Sequence, residues 1–339
     1  MQNLILSIES SCDDSSIALI GIDAYTLIFH QKISQEAEHS TFGGVVPELA
    51  SRLHAESLPL ILEKTKPYLS NLKAIAVTNE PGLNVTLLEG VMMAKTLSYA
   101  LNLPLIGVNH LKGHLYSLFL NSDAIFPLGV LLVSGGHTML LEAESFEKIN
   151  IKAQSLDDSF GESFDKVAKM LSLGYPGGPI VESCAKKGVT KFKLPIPLRS
   201  KKQFAFSFSG LKNAVRLEIE AKSSEGALEE GFKADLCASF QESAIAHLMQ
   251  KCKIFFEENA KKSRSWKYFG VVGGASANLV LREKIQAMCN FYGVELLLAP
   301  LEFCSDNAAM IGRAAVESYR RKEFSKIDSL QTRPRIDVF

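Results

Sequence analysis

No two cysteines in this 339-residue chain are spaced C-x-x-C; the six stand at 12, 184, 237, 252, 289 and 304. A zinc ribbon and a thioredoxin-type motif are thereby excluded, and scattered thiols in a chain of this size point to a cytoplasmic protein with reduced cysteines. Net charge is missing too. Lys plus Arg is 37 and Asp plus Glu is 37, which excludes a polybasic nucleic-acid coat and an acidic disordered tail but leaves room for a local basic patch. Apolar runs such as Leu128–Val133 are far too short to span a bilayer. The opening Met1-Gln2-Asn3-Leu4-Ile5-Leu6 has no basic n-region and is soon interrupted by Glu9, so it reads as a strand and not as a signal peptide. Neither a Walker loop (G-x-x-x-x-G-K-S/T) nor a G-x-G-x-x-G fingerprint occurs, which disfavours the common nucleotide folds. What is present is material for a large core: 47% of residues are apolar and 22% charged, the balance of an ordinary globule. The length predicts roughly two domains.

The chain repeats one pattern. Leu4–Glu9 is a short apolar strand, Ser10–Ser16 a polar turn of small and acidic residues, and Ile17–Ile20 a return strand. Near residue 130 the pattern recurs: Leu128–Val133, then the turn Ser134-Gly135-Gly136-His137-Thr138, then Met139–Leu141. We read this as an internal duplication of two lobes, each opening on a β-hairpin. Helical spacing is predicted for Pro47–Thr65, Val85–Leu101, His110–Leu120, Phe160–Leu173, Gly231–Asn259, Ala277–Phe291 and Asn307–Lys322. Apolar strands are predicted at Ala74–Thr78, Pro104–Val108 and Tyr268–Val272. Alternating strands and helices imply an α/β sheet with parallel members. Pro176-Gly177-Gly178-Pro179 and Leu194–Ser209 read as irregular.

The sharpest feature is His110-Leu111-Lys112-Gly113-His114. Residues four apart on a helix share a face, so both imidazoles can meet one metal; the ordinary alternative is a pair of hydrogen-bonded, partly buried histidines. A metalloprotease would need Glu directly after the first His, and that position holds Leu111. Ser134–Thr138 offers backbone N–H groups that can cradle an anion, or is simply a hairpin turn. Gly273-Gly274-Ala275-Ser276-Ala277-Asn278 runs from a strand into a helix start, where Asn278 can read a base or ribose edge; the plain reading is a tight turn with Ser276 as cap. Asp306 before the last helix reads by default as a cap, yet an oxygen ligand is what a two-His site lacks. Asp157–Lys166 is acidic at a helix entrance, accounted for by macrodipole compensation with Glu162–Lys166 and Asp165–Lys169 pairs. Lys186, Lys187, Lys191, Lys193, Arg199, Lys201 and Lys202 form a basic stretch, either a solvated face or a footprint for phosphates.

Together these segments resemble the universal tRNA threonylcarbamoyladenosine synthase family (Kae1/TsaD), specifically its bacterial TsaD type. The resemblance runs nearly end to end, through Ile8–Asp14, Gly43–Arg52, Pro81–Leu83, His110 with His114, Ser134–Thr138, Gly161–Lys166, Tyr175–Pro179, Phe206–Lys212, Gly273–Asn278 and Ser305–Met310. It implies an actin-like (ASKHA) α/β fold of two duplicated lobes with a metal and nucleotide cleft between the lobes. The lobes would be residues 1–127, completed by 307–339, and residues 128–306. It implies one divalent metal, iron ahead of zinc, held by His110, His114 and Asp306. Substrate contacts would come from Ser134, Gly135, Gly136, His137, Thr138, Asp165, Gly178, Glu182 and Asn278, with no catalytic base assigned. The implied reaction transfers threonylcarbamoyl from threonylcarbamoyl-AMP to the exocyclic amine of adenosine thirty-seven in tRNAs reading codons that begin with A, releasing AMP. The implied partners are tRNA, a smaller non-catalytic paralogue of the TsaB type and a P-loop ATPase of the TsaE type, with no membrane. The alternatives are a small-molecule kinase of the same fold, which has no use for the His pair, and a non-catalytic scaffold paralogue, which lacks the metal site. The chain departs from the family pattern at Leu111 and Lys112, at Glu80, where a glycine is common, and at Glu182, where Asp is common.

Overall fold

The computed structural model describes residues 2–199, 203–223 and 227–335. The chain divides into two compact units, Met1–Ile125 with Ala299–Phe339, and Phe126–Leu298. The first is built on five strands: β1 (Leu4–Glu9), β2 (Asp14–Gly21), β3 (Leu27–Ser34), β4 (Leu72–Glu80) and β5 (Leu105–Asn109), in the order β3-β2-β1-β4-β5. β1 pairs antiparallel with β2 and parallel with β4, and β4 parallel with β5. Its helices are α1 (Glu36–Ser40), α2 (Pro47–Glu63), α3 (Asn84–Leu101) and α4 (His110–Tyr116). Every residue of β1 is buried, which is why its apolar residues stand on both faces and do not alternate with exposed polar ones; Ser7 and Glu9 are buried with them.

The second unit repeats the plan with β6 (Leu128–Val133), β7 (Thr138–Ala143), β8 (Ile149–Gln154), β9 (Tyr268–Val272) and β10 (Glu295–Leu298), ordered β10-β9-β6-β7-β8. Again the first strand pairs antiparallel with the second and parallel with the fourth. The duplication expected from the two hairpins is therefore present in strand order and direction. The helices here are α5 (Phe160–Met170), α6 (Gly177–Ala185), α7 (Ser209–Ser223), the long α8 (Glu230–Ala260) and α9 (Leu279–Tyr292); α10 (Ala308–Arg321) returns to the first unit. Aromatic side chains, among them Phe164, Phe240, Phe256, Trp266 and Phe269, fill the second core.

Two expectations are corrected. The segment Ala299–Asp306 belongs to the first unit and not to the second. Its side chains bind β3: the Phe303 ring tilts against His30 with centroids 5.5 Å apart, and Lys32 Nζ donates to Ser305 Oγ at 2.9 Å. Pro176–Pro179 is not irregular throughout. Gly177 opens α6, with Pro176 as its N-cap and Pro179 in its first turn, where a missing N–H breaks no helical hydrogen bond.

Of the stretch Leu194–Ser209, the described residues up to Phe208 do run without regular helix, while Ser209 opens α7, and polar groups of α8 hold the stretch. Lys251 Nζ donates to Leu198 O at 2.7 Å and Gln203 O at 2.8 Å, Gln250 Nε2 to Arg199 O, and His247 Nε2 accepts from Ser207 N at 3.2 Å. Burial, and then the nearby Lys251 ammonium, push His247 down to about 4. The folded state therefore binds fewer protons than the unfolded chain between about pH 6.5 and 4. Stability from this group is complete above about 6.5 and is lost as pH falls through that window, on the order of 3 kcal/mol. His247→Gln, which can still accept from Ser207, is expected to flatten the fall of the urea midpoint between pH 6.5 and 4.5. His30, also pushed down to about 4 by burial, keeps the slope from vanishing. An unchanged slope would refute the assignment. Among the described residues, no helix is long and apolar enough to cross a membrane.

Candidate metal centre and ligand-binding turns

In the first unit, α4 begins directly at the end of β5. Asn109 caps it, its side-chain oxygen accepting from the backbone N–H groups of Leu111 and Lys112 at 2.9 and 3.1 Å. His110 and His114 then fall one turn apart on the buried side, ring centroids 4.6 Å apart and nearly perpendicular. Gly113 lets α10 close onto α4: a Cβ there would stand 2.6 Å from Ile311 Cδ1. α10 is fixed in turn by Ser7 Oγ donating to Ala308 O at 2.7 Å, and by the fully buried Arg313, which donates to Phe119 O and Ser122 O. These contacts bring the turn Ser305-Asp306-Asn307 onto the histidines.

Asp306 Oδ1 lies 3.4 Å from His110 Nε2 and 3.1 Å from His114 Nε2. One ligand atom from each of the three residues lies within 4.8 Å of the others. The expected trio of His110, His114 and Asp306 is thus grouped, but the expectation of ligands from both lobes is corrected: all three come from one unit, because Asp306 belongs with the first. The default role of Asp306 as helix cap is not the one observed, because Asn307 caps α10, accepting from Met310 N at 2.9 Å. The carboxylate is left facing the imidazoles.

The donor set fits a first-row divalent ion. The two nitrogen–oxygen separations approximate the roughly 3.4 Å edge of a tetrahedron with bonds of about 2.1 Å. His114 is fully buried, and among the described residues neither of its ring nitrogens has an aligned hydrogen bond, an orphaned state that a metal ligand resolves. Without an ion, charge is balanced by protons. Burial disfavours the His110 imidazolium, but the Asp306 and Glu9 carboxylates outweigh it and push His110 up to about 10. Burial and the His110 charge hold His114 low. Asp306 is held well below the usual range by both histidines, against the effect of its own burial.

Behind His110 stands Glu9, which the sequence reading did not select. Its Oε2 lies 3.2 Å from His110 Nδ1 and accepts from Thr78 Oγ1 at 2.5 Å; its Oε1 accepts from Ser11 N at 2.6 Å. Ser11 Oγ is 3.1 Å from the same His110 nitrogen. The signal is legible in the sequence: a carboxylate closes an otherwise uncharged, mostly apolar strand, and a buried charge needs a partner. Lys32 bridges Asp14 and Ser305, and burial pushes Asp14 up to about 7 against the pull of that ammonium.

In the second unit, most of the residues expected to touch substrate are held by local hydrogen bonds. Ser134 Oγ accepts from His137 N at 3.0 Å and Ser134 N donates to His137 O. Thr138 Oγ1 accepts from Phe160 N at 2.7 Å, and Ser159 Oγ donates to Gly135 O at 2.6 Å, so the turn is tied to the start of α5. Gly135 and Gly136 have no positive φ, and a Cβ on either would meet nothing within 4 Å; Gly178 also faces open space. Neither packing nor backbone conformation demands glycine at these positions. Asp165 Oδ1 accepts from Gly177 N at 2.7 Å, joining α5 to α6. Glu182 Oε1 accepts from Leu279 N at 3.1 Å, joining α6 to α9. The Glu162–Lys166 pair is present at 2.9 Å.

Asn278, and not Ser276, caps α9: its Oδ1 accepts from Leu281 N at 2.9 Å, while its Nδ2 donates to Gln241 Oε1 at 3.0 Å. Most of its amide is thus spent within the fold. Among the described residues, the buried Ser276 hydroxyl finds no hydrogen-bond partner. In the basic stretch, Lys186 lies 3.8 Å from Glu182 and Lys191 4.0 Å from Asp235, distances of surface pairs; Lys201 and Lys202 lie outside the described residues.

Residues 26–313 match the family model described as "TsaD: tRNA N6-adenosine threonylcarbamoyltransferase". A protein of Wolinella succinogenes carrying that same name is 64% identical over 333 residues, 98% of each chain. One of Campylobacter curvus is 57% identical over 342 residues, covering 98% of this chain and 99% of its own. Among solved structures, HypF of T. kodakarensis superposes with a TM-score of 0.60 at 14% identity, covering 97% of this chain and 49% of HypF. The activator of 2-hydroxyisocaproyl-CoA dehydratase from Clostridium difficile does so with 0.52 at 13% identity, over 95% and 98% of the two chains. At such identities the likeness concerns the fold, which is actin-like.

Proposed function

The chain belongs to the tRNA N6-adenosine threonylcarbamoyltransferase family and is a transferase, and on that premise we propose that it moves the threonylcarbamoyl group from threonylcarbamoyl-AMP to the exocyclic amine of a tRNA adenosine. The acceptor is the adenosine beside the anticodon, position thirty-seven, in tRNAs that read codons beginning with A. The amine nitrogen forms a bond to the carbamoyl carbon, the bond from that carbon to the phosphate oxygen breaks, AMP leaves, and the amine gives up one proton.

What carries the reading is the convergence of His110, His114 and Asp306 within one unit. These residues would hold one divalent metal, iron ahead of zinc, which when bound supplies Lewis acidity to a carbonyl. The remaining work falls to the chain itself. Gly135 and Gly136 leave room for a phosphate to approach the backbone N–H groups of their turn. Asp165 and Glu182 hold α5, α6 and α9 in register around the turns, so positioning provides much of the acceleration. The target base would be presented unstacked.

A protein partner, in our reading a smaller paralogue acting with a P-loop ATPase, has support in α3. Val85, Leu88, Met92 and Tyr99 recur at helical spacing and are exposed, an apolar stripe that a monomer in water would not favour.

The test is reconstitution. Purified chain, unmodified tRNA, threonylcarbamoyl-AMP and the two partners are combined, and modified nucleoside and AMP are quantified together with bound iron and zinc. The expected result is equimolar modified adenosine and AMP, dependent on about one metal per chain. Full activity after complete metal removal would refute the proposed chemistry.

A further inference from the structure

Glu9 closes the buried strand β1, and its neighbour Thr78 sits on the parallel strand β4, where Ile8 pairs with Val77. Its side chain is fully buried, and among the described residues His110 is its ion-pair partner. A carboxylate in that setting has to be neutralised by what lies across the imidazole. Two donors aim it, Thr78 Oγ1 at Oε2 and Ser11 N at Oε1.

A neutral imidazole has one N–H and one lone pair, and a metal takes the lone pair. His110 points Nε2 at Asp306 and Nδ1 at Glu9. An ionised carboxylate can only accept, so the proton belongs on Nδ1 and the lone pair on Nε2. Ser11 Oγ, also beside Nδ1, can accept the same N–H but adds no charge. A divalent ion with two neutral imidazoles and Asp306 carries one surplus positive charge in a buried site; Glu9 cancels it.

We propose that Glu9 is a positioning residue for the metal: it keeps the His110 proton on Nδ1, aims Nε2 at the ion, and completes the charge balance of a divalent cation. This rests on the metal reading of His110, His114 and Asp306.

The experiment uses the full chain stripped of metal and titrated with Co²⁺ against a competing chelator, followed by the visible absorption of the bound ion. Wild type is expected to bind one Co²⁺. Glu9→Gln, which keeps the shape and removes the charge, is expected to bind about 10- to 100-fold more weakly with a displaced Co²⁺ spectrum, while far-UV circular dichroism of the metal-free protein is unchanged. Thr78→Val, which leaves Glu9 in place but unaimed, is expected to lose roughly three- to tenfold as a milder form of the same effect. It carries the test if Glu9→Gln does not fold. Nitrogen-15 shifts of His110 in the Zn²⁺-loaded wild type are expected to show the proton on Nδ1. Wild-type Co²⁺ affinity and spectrum in folded Glu9→Gln, or in Thr78→Val, would overturn the assignment of Glu9 alone. Absence of Co²⁺ binding by wild type would overturn the metal reading, and Glu9 with it.

Discussion

Asp306→Asn is expected to empty the site of iron and zinc and to abolish tRNA modification. The substitution keeps the shape of the side chain and removes its charge. The helix cap does not depend on it, because Asn307 serves α10, and the turn keeps its tether from Lys32 to Ser305. The loss therefore falls on the ion. Removing one member of a buried charged group costs on the order of 3–5 kcal/mol, which converts to roughly a thousandfold in affinity. Elemental analysis of the purified variant is the first measurement: metal is expected to drop from about one per chain to a trace. Reconstituted modification is the second, and is expected to fall below detection while far-UV circular dichroism shows the metal-free variant still folded. Wild-type metal content with normal modification would remove the carboxylate from the chemistry.

The second large effect separates two kinds of glycine in the other unit. Gly273 adopts a φ of +91°, and a Cβ there would stand 2.3 Å from Val133 O and 2.7 Å from Val133 C. Both obstacles are backbone of β6, which pairs with β9 up to Leu132 and Val272, so no flexible side chain can yield. Gly273→Ala is expected to destabilise the protein by about 3 kcal/mol or more, from left-handed strain and overpacking together, read as a lowered urea midpoint. Gly135→Ala should behave in the opposite way. Its Cβ enters open space, so stability is expected to remain within about 0.5 kcal/mol of wild type. AMP binding by calorimetry, however, is expected to weaken at least tenfold, since a methyl would stand where a phosphate must approach. If Gly135→Ala binds AMP as wild type does, the turn is only a hairpin and the phosphate-cradle reading fails.

Much of the fold is legible along the chain because its signals are local. β1, β4, β6 and β9 are short apolar runs, and α2, α3 and α8 carry helical spacing over many turns. The weaker elements escaped for a physical reason. β3 is half-buried along most of its length and β10 has four residues, so their existence depends on the neighbours they pair with. α6 is masked by the prolines and glycines of its first turn. The boundary of the first unit was misplaced because Phe303 and Ser305 belong with β3 through contacts between residues more than 270 apart.

The site divides in the same way. His110 and His114 share a face by helix geometry alone, and any helix over those residues would put them together. The repeated hairpin likewise announces two lobes of one plan, since an apolar strand, a polar turn and a return strand need nothing beyond neighbouring residues. That Asp306 completes the trio, that Asn307 and Asn278 do the capping, and that Glu9 backs His110 are decisions of the tertiary structure. Each depends on a contact over at least several dozen residues or on a choice between adjacent side chains that local propensity leaves nearly equal. Around the trio, such choices are settled by which group reaches its partner once α10 has closed onto β1 and α4; at α9, by the reach of Asn278 to Leu281 and Gln241.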